Sequence, residues 1–564
     1  MDTLAELYGI LVVLGIALFI PAHFYQTKFV RSVSRCFDRI AQRRRLSILL
    51  VGLFSLSLQL PNFITDHYPS PIVHDEFGYL LAAETFSSGR LTNETHPLWM
   101  HFESMHILQK PTYTMKYPPG QSLFMALGIL GGGHPMVGVW ISVALACSAI
   151  CWTLQAWVPA RWALFGAFLI ALRLHPGYWA HSYWGGAVAA LGGALLLGAL
   201  RRLVTEQSWQ NGMLFGLGVS ILALTRPYEG FVLSFVSIGV LAFALIQSQS
   251  SSWRNVIRIV VSGSAVLLII FSWMGYYNWR VTGDPLKMPY KEHNEQYAAN
   301  PTFLWQTDSG QIPNYRHIEI QNYYLKWERP KFLRKSQNFG FNGSQATKLW
   351  IYFRFFIGPA LALPLIVLGV KSRDLWLWSV TLAILAVLLA LSQALYLFAH
   401  YAAPVTAHLV LLVVAGFRYL RLWNCYGKPV GRSLLVGTLL LFMLGACGVD
   451  GNLPSTKSPR GLIVDRLESS PQKHLVIVCY QPDHNFHDEW VYNKPDIDEA
   501  KIVWSRNMSN ADNLELIEYF ADRKIWILKF EAFDQPILES VDHDIDQVLE
   551  SLAELRQQSK AISQ

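Results

Sequence analysis

The sequence predicts an all-α polytopic membrane protein, a helical bundle of about 12 spans carrying a small C-terminal soluble α/β domain. Three features predict it. Apolar runs near bilayer length recur along most of the chain, basic residues gather in the short segments between alternate runs, and the pattern changes after residue 451.

The 564 residues are 52% hydrophobic and only 15% charged, with a mean hydropathy of +0.27. A soluble chain carries roughly a quarter charged residues, so the bilayer is the main solvent here. The formal charge of +7 is no nucleic-acid signature, because the Lys and Arg residues cluster at the ends of apolar runs. The six cysteines lie apart, and Cys147 and Cys151 share one run at helical spacing, which suits packing.

The spans are expected near 4–22, 46–65, 136–157, 161–174, 185–203, 211–226, 229–247, 257–278, 349–369, 375–395, 402–417 and 433–450. The first is preceded by Asp2, interrupted by Glu6 and followed by the basic stretch Lys28 to Arg45, which reads as an uncleaved helix. Arg43 to Arg45, Arg161, Arg201 with Arg202, Arg254 with Arg258, Lys371 with Arg373, and Arg418 to Arg432 then mark the cytoplasmic loops. Both termini fall outside. Three segments are left on the outer face: loops 65–133 and 280–348, and the tail 452–564. The division is thus an extra span and basic loop at 1–45, a core at 46–451, and the tail. In that tail His474 to Tyr480, Lys501 to Trp504 and Lys524 to Phe530 suit buried strands. Asn510 to Arg523 suits a helix capped by Asn510 or Asp512, and Asp542 to Gln558 a terminal amphipathic helix.

The chemistry-bearing residues concentrate in the outer segments. His74-Asp75-Glu76-Phe77-Gly78-Tyr79 opens a helical pattern running to about Ser87. A glycosyl transfer needs a carboxylate to take the proton of an attacking hydroxyl, and Asp75 or Glu76 suits that work. The plainer alternative is that both merely oppose the dipole at a helix start. Lys116-Tyr117-Pro118-Pro119-Gly120 opens a short apolar helix to about Leu130, whose free amides and lysine suit a phosphate. The alternative there is a lysine reaching to the headgroups. The turn His175 to Gly186, with Tyr183 and Trp184, suits interface anchoring or stacking on a sugar.

Arg226, in Thr225-Arg226-Pro227-Tyr228-Glu229, is costly in hydrocarbon unless it pairs internally or meets a polar cavity, where its planar fork suits phosphate. Arg173, Arg354 and the His400-Tyr401 pair pose the same question. The loop from Arg280, rich in Tyr, Trp, Asn and His from Tyr290 to Trp327, suits a lid or acceptor surface.

Together these pieces resemble the membrane-embedded GT-C glycosyltransferases over roughly Arg45 to Gly451. The particular likeness is to the bacterial group with protein O-mannosyltransferases, lipid A aminoarabinose transferases and rhizobial galacturonosyltransferases. His74-Asp75-Glu76 matches the acidic pair of that superfamily's first outer loop, and Lys116 stands where the aminoarabinose transferases have a phosphate-contacting lysine. The resemblance implies an inverting transfer from a polyprenyl-phosphate sugar to an envelope glycan, lipid or protein on the extracytoplasmic face of the inner (plasma) membrane. Asp75 would be the base, with Glu76 beside it, and Lys116 and Arg226 would hold the donor phosphate. His74, Tyr79, Tyr117, Tyr183, Trp184, Tyr228, Glu229, Tyr290, His400 and Tyr401 would contact substrate.

Many relatives carry a second acid, a metal ligand, in the next outer loop. Here that turn has none, so neither metal nor other cofactor is expected, His175 and His181 being the alternative ligands. The first span and the tail also depart from the family's minimal pattern. The rival reading is a transporter or flippase with Arg226 and Arg354 lining a path, but matching halves with interrupted spans are lacking. A weaker one is an assembly protein binding a partner through the tail.

Overall fold

The computed structural model describes residues 8, 11, 12, 15, 27–248, 252–337, 343–396, 398–424, 430–448, 457–481, 483–531, 535–541 and 545–562. Two compact units emerge. One joins Met1–His67, Met136–Trp273 and Phe339–Leu453; the other joins Tyr68–Pro135, Met274–Asn338 and Pro454–Gln564.

Among the described residues six helices are long and apolar enough to cross a membrane: Pro135–Trp157, Ala187–Thr205, Pro227–Gln247, Trp253–Thr282, Leu375–Ser392 and Ala399–Arg421. A bent pair, Gln345–Phe356 with Gly358–Lys371, makes a seventh if the two count as one span. The chain is therefore a multi-pass helical membrane protein. Phe231, Phe235, Leu268, Ile269 and Leu389 lie on these helices and are exposed, as side chains that meet lipid must be.

Fewer helices meet the length criterion than the twelve expected spans. The first expected span lies largely outside the described residues. Those at 161–174 and 211–226 are helices of 15 residues, Ala160–Leu174 and Trp209–Ala223. That at 46–65 is a 14-residue helix, Arg44–Ser57, followed by the short Leu60–Ile64. Pro61, lacking an amide hydrogen, suits the start of a new helix and not the continuation of the old one. The expected span 433–450 falls in Val430–Gly448, of which the apolar part is Val430–Leu444. The span expected at 349–369 is bent by 96°, where Gly358 takes a left-handed φ of 65° just before Pro359.

That break explains one charge the sequence left open. Arg173 donates from Nε to the Phe355 carbonyl at 2.7 Å and from Nη2 to that of Arg354, capping the carbonyls freed at the bend. Lys348 likewise donates from Nζ to the carbonyls of Leu391, Ser392 and Ala394 at 3.2, 3.2 and 2.6 Å, at the C-terminal end of Leu375–Ser392.

Small residues let these helices approach closely, the packing that stabilises helices where apolar burial gives no drive. A Cβ on Gly193 would lie 1.8 Å from the Pro404 carbonyl oxygen, and one on Gly216 would lie 2.5 Å from that of Gly263. Gly193→Val is accordingly expected to destabilise the unit by at least the ~1–3 kcal/mol typical of overpacking. A clear fall in the monodisperse fraction on size-exclusion chromatography in detergent would register it; a wild-type profile would refute the packing.

In the second unit the strands are β1 (Ile107–Leu108), β2 (Thr114–Met115), β3 (His474–Cys479), β4 (Ile502–Arg506), β5 (Lys524–Glu531) and β6 (Gln535–Ser540). β1 and β2 form an antiparallel pair. The others form one sheet in the order β4-β3-β5-β6, with β3 parallel to β4 and β5 and only β6 antiparallel. The buried Val, Ile and Leu runs of β3 to β5 suit strands covered on both faces. Asn510–Tyr519 is the helix expected there, but Ser509 caps it: its Oγ accepts from the Asp512 amide at 3.2 Å.

The tail is not alone in this unit. Phe77, Leu81, Phe102 and Ile107 of the first loop share a core with Leu475, Ile477, Val503 and Leu516, and the rings of Phe77 and Tyr492 stack at 4.0 Å. The second loop is ordered too, as Pro289–Tyr297, Ile318–Gln321, the π-helical Asn322–Glu328 and Arg329–Gln337. These pieces are too short and polar to show a period. Arg506, 1% exposed, joins all three segments. It donates from Nε to the Glu103 carbonyl at 2.7 Å, from Nη1 to Glu319 at 3.1 Å, and from Nη2 to Glu489.

Candidate active site

The helix His74–Ser87 starts after the extended Val73, and Glu76 at its third position turns back on that start. Its Oε2 accepts from the amides of Ile72 at 2.8 Å and Val73 at 3.2 Å. Glu76 is buried in this capping role, which fixes the first turn and so the direction of its neighbour Asp75.

Asp75 faces a polar cluster that the β1–β2 pairing assembles. Register Ile107↔Met115 sets His106 across from Lys116, whose amide donates to the His106 carbonyl at 3.2 Å. His106 holds a left-handed φ of 66°, a costly conformation for a residue with a Cβ, and such strain clusters at functional sites. Its ring is pinned on both sides. The Nδ1–H lies 2.8 Å from Asp75 Oδ1 and 2.8 Å from the Tyr117 phenol oxygen, while Nε2 accepts from the Tyr323 hydroxyl at 3.1 Å, one tautomer satisfying all three. Tyr117 also donates to Asp75 Oδ1. Both bonds therefore fall on one carboxylate oxygen, and among the described residues Oδ2 has no partner.

Lys116 is 7% exposed, its Nζ lying 5.3 and 5.4 Å from the ring centroids of Tyr117 and Tyr290. The Tyr79 ring stacks on Tyr117 at 5.1 Å. His74 donates to or accepts from Tyr492 at 2.7 Å through Nδ1, and among the described residues its buried Nε2 has no hydrogen-bond partner, nor has the buried Nδ1 of His293. His293 sits 6.2 Å from the His106 ring, ring centre to ring centre. Two unsatisfied imidazole nitrogens beside a carboxylate and an ammonium are spare capacity for a polar ligand.

The charges follow from this geometry. Burial alone would push the Asp75 carboxyl up, but His106, Tyr117 and the Lys116 ammonium outweigh it and hold the acid well below the usual carboxylate range. Burial, with Lys116 nearby, pulls His106 down to about 4, leaving it neutral at pH 7. Burial lowers Lys116 to about 8, against the opposing charges of Asp75 and Glu328. Tyr117 stays protonated, raised by burial and by Asp75.

Other residues named from sequence lie in the helical unit. There the Arg226 guanidinium sits 4.4 Å from the Tyr401 ring centroid. Tyr178, 2.8 Å from His400 Nδ1, and Trp184, 4.8 Å from the His400 ring centroid, complete an aromatic group, with Phe398 4.9 Å from Trp184. Tyr183 is buried, Tyr228 donates to the Ala390 carbonyl at 3.2 Å, and Glu229 is buried within electrostatic reach of Arg226. His175 Nδ1 is 2.8 Å from Gln59, and His181 Nε2 is 2.9 Å from the His175 carbonyl. Among the described residues no group of three or more His, Cys, Asp or Glu side chains is placed to hold a metal ion.

Sequence reasoning named Asp75, Lys116, Tyr117, Tyr79, His74 and Tyr290, and missed His106, Tyr323, His293 and Tyr492. Strands of two residues leave no alternation to read, and the partners of His106 and His74 arrive from 217 and 418 positions away. A histidine within a long outer loop was the available signal.

No protein-family model matches the chain, and no curated protein matches its sequence. Solved structures do resemble it. ArnT from Cupriavidus metallidurans bound to undecaprenyl phosphate is 14% identical with a TM-score of 0.47, over 88% of this chain and 93% of that one. The Archaeoglobus fulgidus oligosaccharyltransferase in the apo form is 13% identical with a TM-score of 0.45, over 86% and 69%. Both are membrane glycosyltransferases of the GT-C superfamily.

Proposed function

We propose that the chain is a GT-C type glycosyltransferase that moves a sugar from a polyprenyl-phosphate donor to an extracytoplasmic acceptor, with inversion. One observation carries the reading: Asp75 is anchored through a single oxygen by His106 and Tyr117, beside a buried ammonium, with its second oxygen unengaged. Such a carboxylate is positioned to receive a proton from a hydroxyl. In the step, the acceptor oxygen bonds to the anomeric carbon, its proton passes to Asp75 Oδ2, and the bond from that carbon to the donor phosphate breaks. The electron pair leaves with the phosphate, whose growing charge Lys116 stabilises. Within the helical unit, Arg226 with Tyr183, Trp184, Tyr228, Glu229, His400 and Tyr401 is assigned to substrate contact, Arg226 as a phosphate-binding cation. Glu76 acts through the helix start that aims Asp75, and His74, Tyr79 and Tyr290 line the pocket. The membrane is the inner (plasma) membrane, with both termini extracytoplasmic.

The donor lysine supplies the test. A group lowered to about 8 loses its proton as pH rises past that value, so kcat/KM should be level from about 5 to 7 and fall about tenfold per pH unit above 8. Lys116→Arg keeps its charge at every accessible pH and should remove the alkaline limb even if it lowers the plateau. An alkaline limb unchanged in Lys116→Arg would take Lys116 out of the phosphate site.

A further inference from the structure

Beyond the carboxylate site, the second unit holds a cleft of about 360 Å³ at the carboxyl ends of β3 and β4, walled by Tyr315, Glu319, Gln321, Arg506, Asn507 and Arg556. Its size lies within the ~300–1,000 Å³ of small-molecule sites. Open α/β sheets bind ligands outside the carboxyl ends of parallel strands, and β3, β4 and β5 are parallel.

The lining states which ligand. Arg316 pairs with Glu103 and Arg506 with both Glu319 and Glu489, so with Arg556 added three guanidiniums and three carboxylates surround the cleft and their formal charges cancel. What remains is planar hydrogen-bonding capacity. The Gln321 amide and the Arg556 guanidinium make no side-chain hydrogen bond among the described residues, and Tyr315 and Tyr480 add aromatic surface at the same cleft. Flat amide and guanidinium groups that address neighbouring hydroxyls, set beside aromatic faces, are the chemistry that holds an uncharged sugar.

We propose that this cleft is a saccharide subsite for a neutral glycan segment, distinct from the reacting centre at Asp75. Its wall is continuous with that centre. The helix Ile318–Gln321, which supplies Glu319 and Gln321, runs directly into Asn322–Glu328, whose Tyr323 hydroxyl donates to His106. A glycan seated in the cleft thus rests on the element that orders the Asp75 carboxylate. The assignment of the glycan as acceptor rests on the transferase reading; binding itself does not.

The experiment titrates the full chain in nanodiscs with neutral tetrasaccharides of glucose, mannose and galactose, with digalacturonate, and with inorganic phosphate. Saturable binding of at least one neutral tetrasaccharide is expected, weakened at least tenfold in the double variant Gln321→Ala with Arg556→Ala and unchanged in Asp75→Asn. Both variants are checked for a wild-type melting temperature. Absence of tetrasaccharide binding, binding indifferent to the double variant, or binding confined to digalacturonate or phosphate would each overturn the subsite. Because binding is read without turnover, loss of the subsite leaves the transfer chemistry standing, and an inactive chain that still binds leaves the subsite standing.

Discussion

Asp75→Asn is expected to lower turnover about 10²- to 10⁴-fold, the share a positioned general base contributes, with no loss of folded protein. The amide has the carboxylate's shape, so its oxygen can still accept from His106 and Tyr117, whose bonds both fall on Oδ1. What is lost is the basic second oxygen. Asp75→Ala should cost stability as well, about 1–3 kcal/mol, because it strands the Tyr117 hydroxyl in a buried site and takes from the His106 N–H one of its two acceptors. Comparing the two variants by turnover and by thermal melting separates chemistry from scaffolding; equal melting temperatures with equal turnover losses would mean the cluster does not depend on this carboxylate.

The second large effect belongs to Arg506. Arg506→Met should destabilise the sheet-containing unit by about 3–5 kcal/mol, since removing one partner of a buried ion pair leaves the other uncompensated. Glu489 is fully enclosed, and although burial raises its carboxyl, the Arg506 charge and the Tyr480 hydroxyl hold it below its ordinary value. Pairing Arg506→Met with Glu489→Gln should recover part of the loss, and a double-mutant cycle in thermal melting measures how much. Full additivity would contradict the direct pair. The neighbouring Glu103, lowered to about 2 by His317, Arg316 and Tyr297 against its own burial, sets the acid response. Its stabilisation is complete above its unfolded value of 4.5 and is lost as pH falls from there towards 2.

Legibility varied with the range of the interactions. Helix His74–Ser87 and helix Gly120–Gly132 could be read directly, one from its period and the other from Pro118 and Pro119 before an apolar run. The strands β3 to β5 were equally plain, being unbroken apolar runs. The bend at Gly358 was not, because Gly-Pro reads the same at a helix start as at a break. Nor was β6, whose QPILES sequence alternates weakly and lies half exposed. Within the site, Asp75 and Lys116 announced themselves as charges at an apolar boundary, whereas the partners that give Asp75 its orientation come from a two-residue strand pair and a π-helical segment. Arg506 carried no local sign of its role, which depends on Glu103, Glu319 and Glu489 arriving from three separate stretches of chain.

The most direct measurement quantifies polyprenyl-phosphate-linked sugars by mass spectrometry in cells lacking this chain, complemented with the wild type or with Asp75→Asn expressed at equal level in the membrane. Accumulation of one carrier-linked sugar in the deletion and in the Asp75→Asn strain, cleared by the wild type alone, is the predicted result. Carrier-linked sugars at wild-type level in all three strains would contradict it.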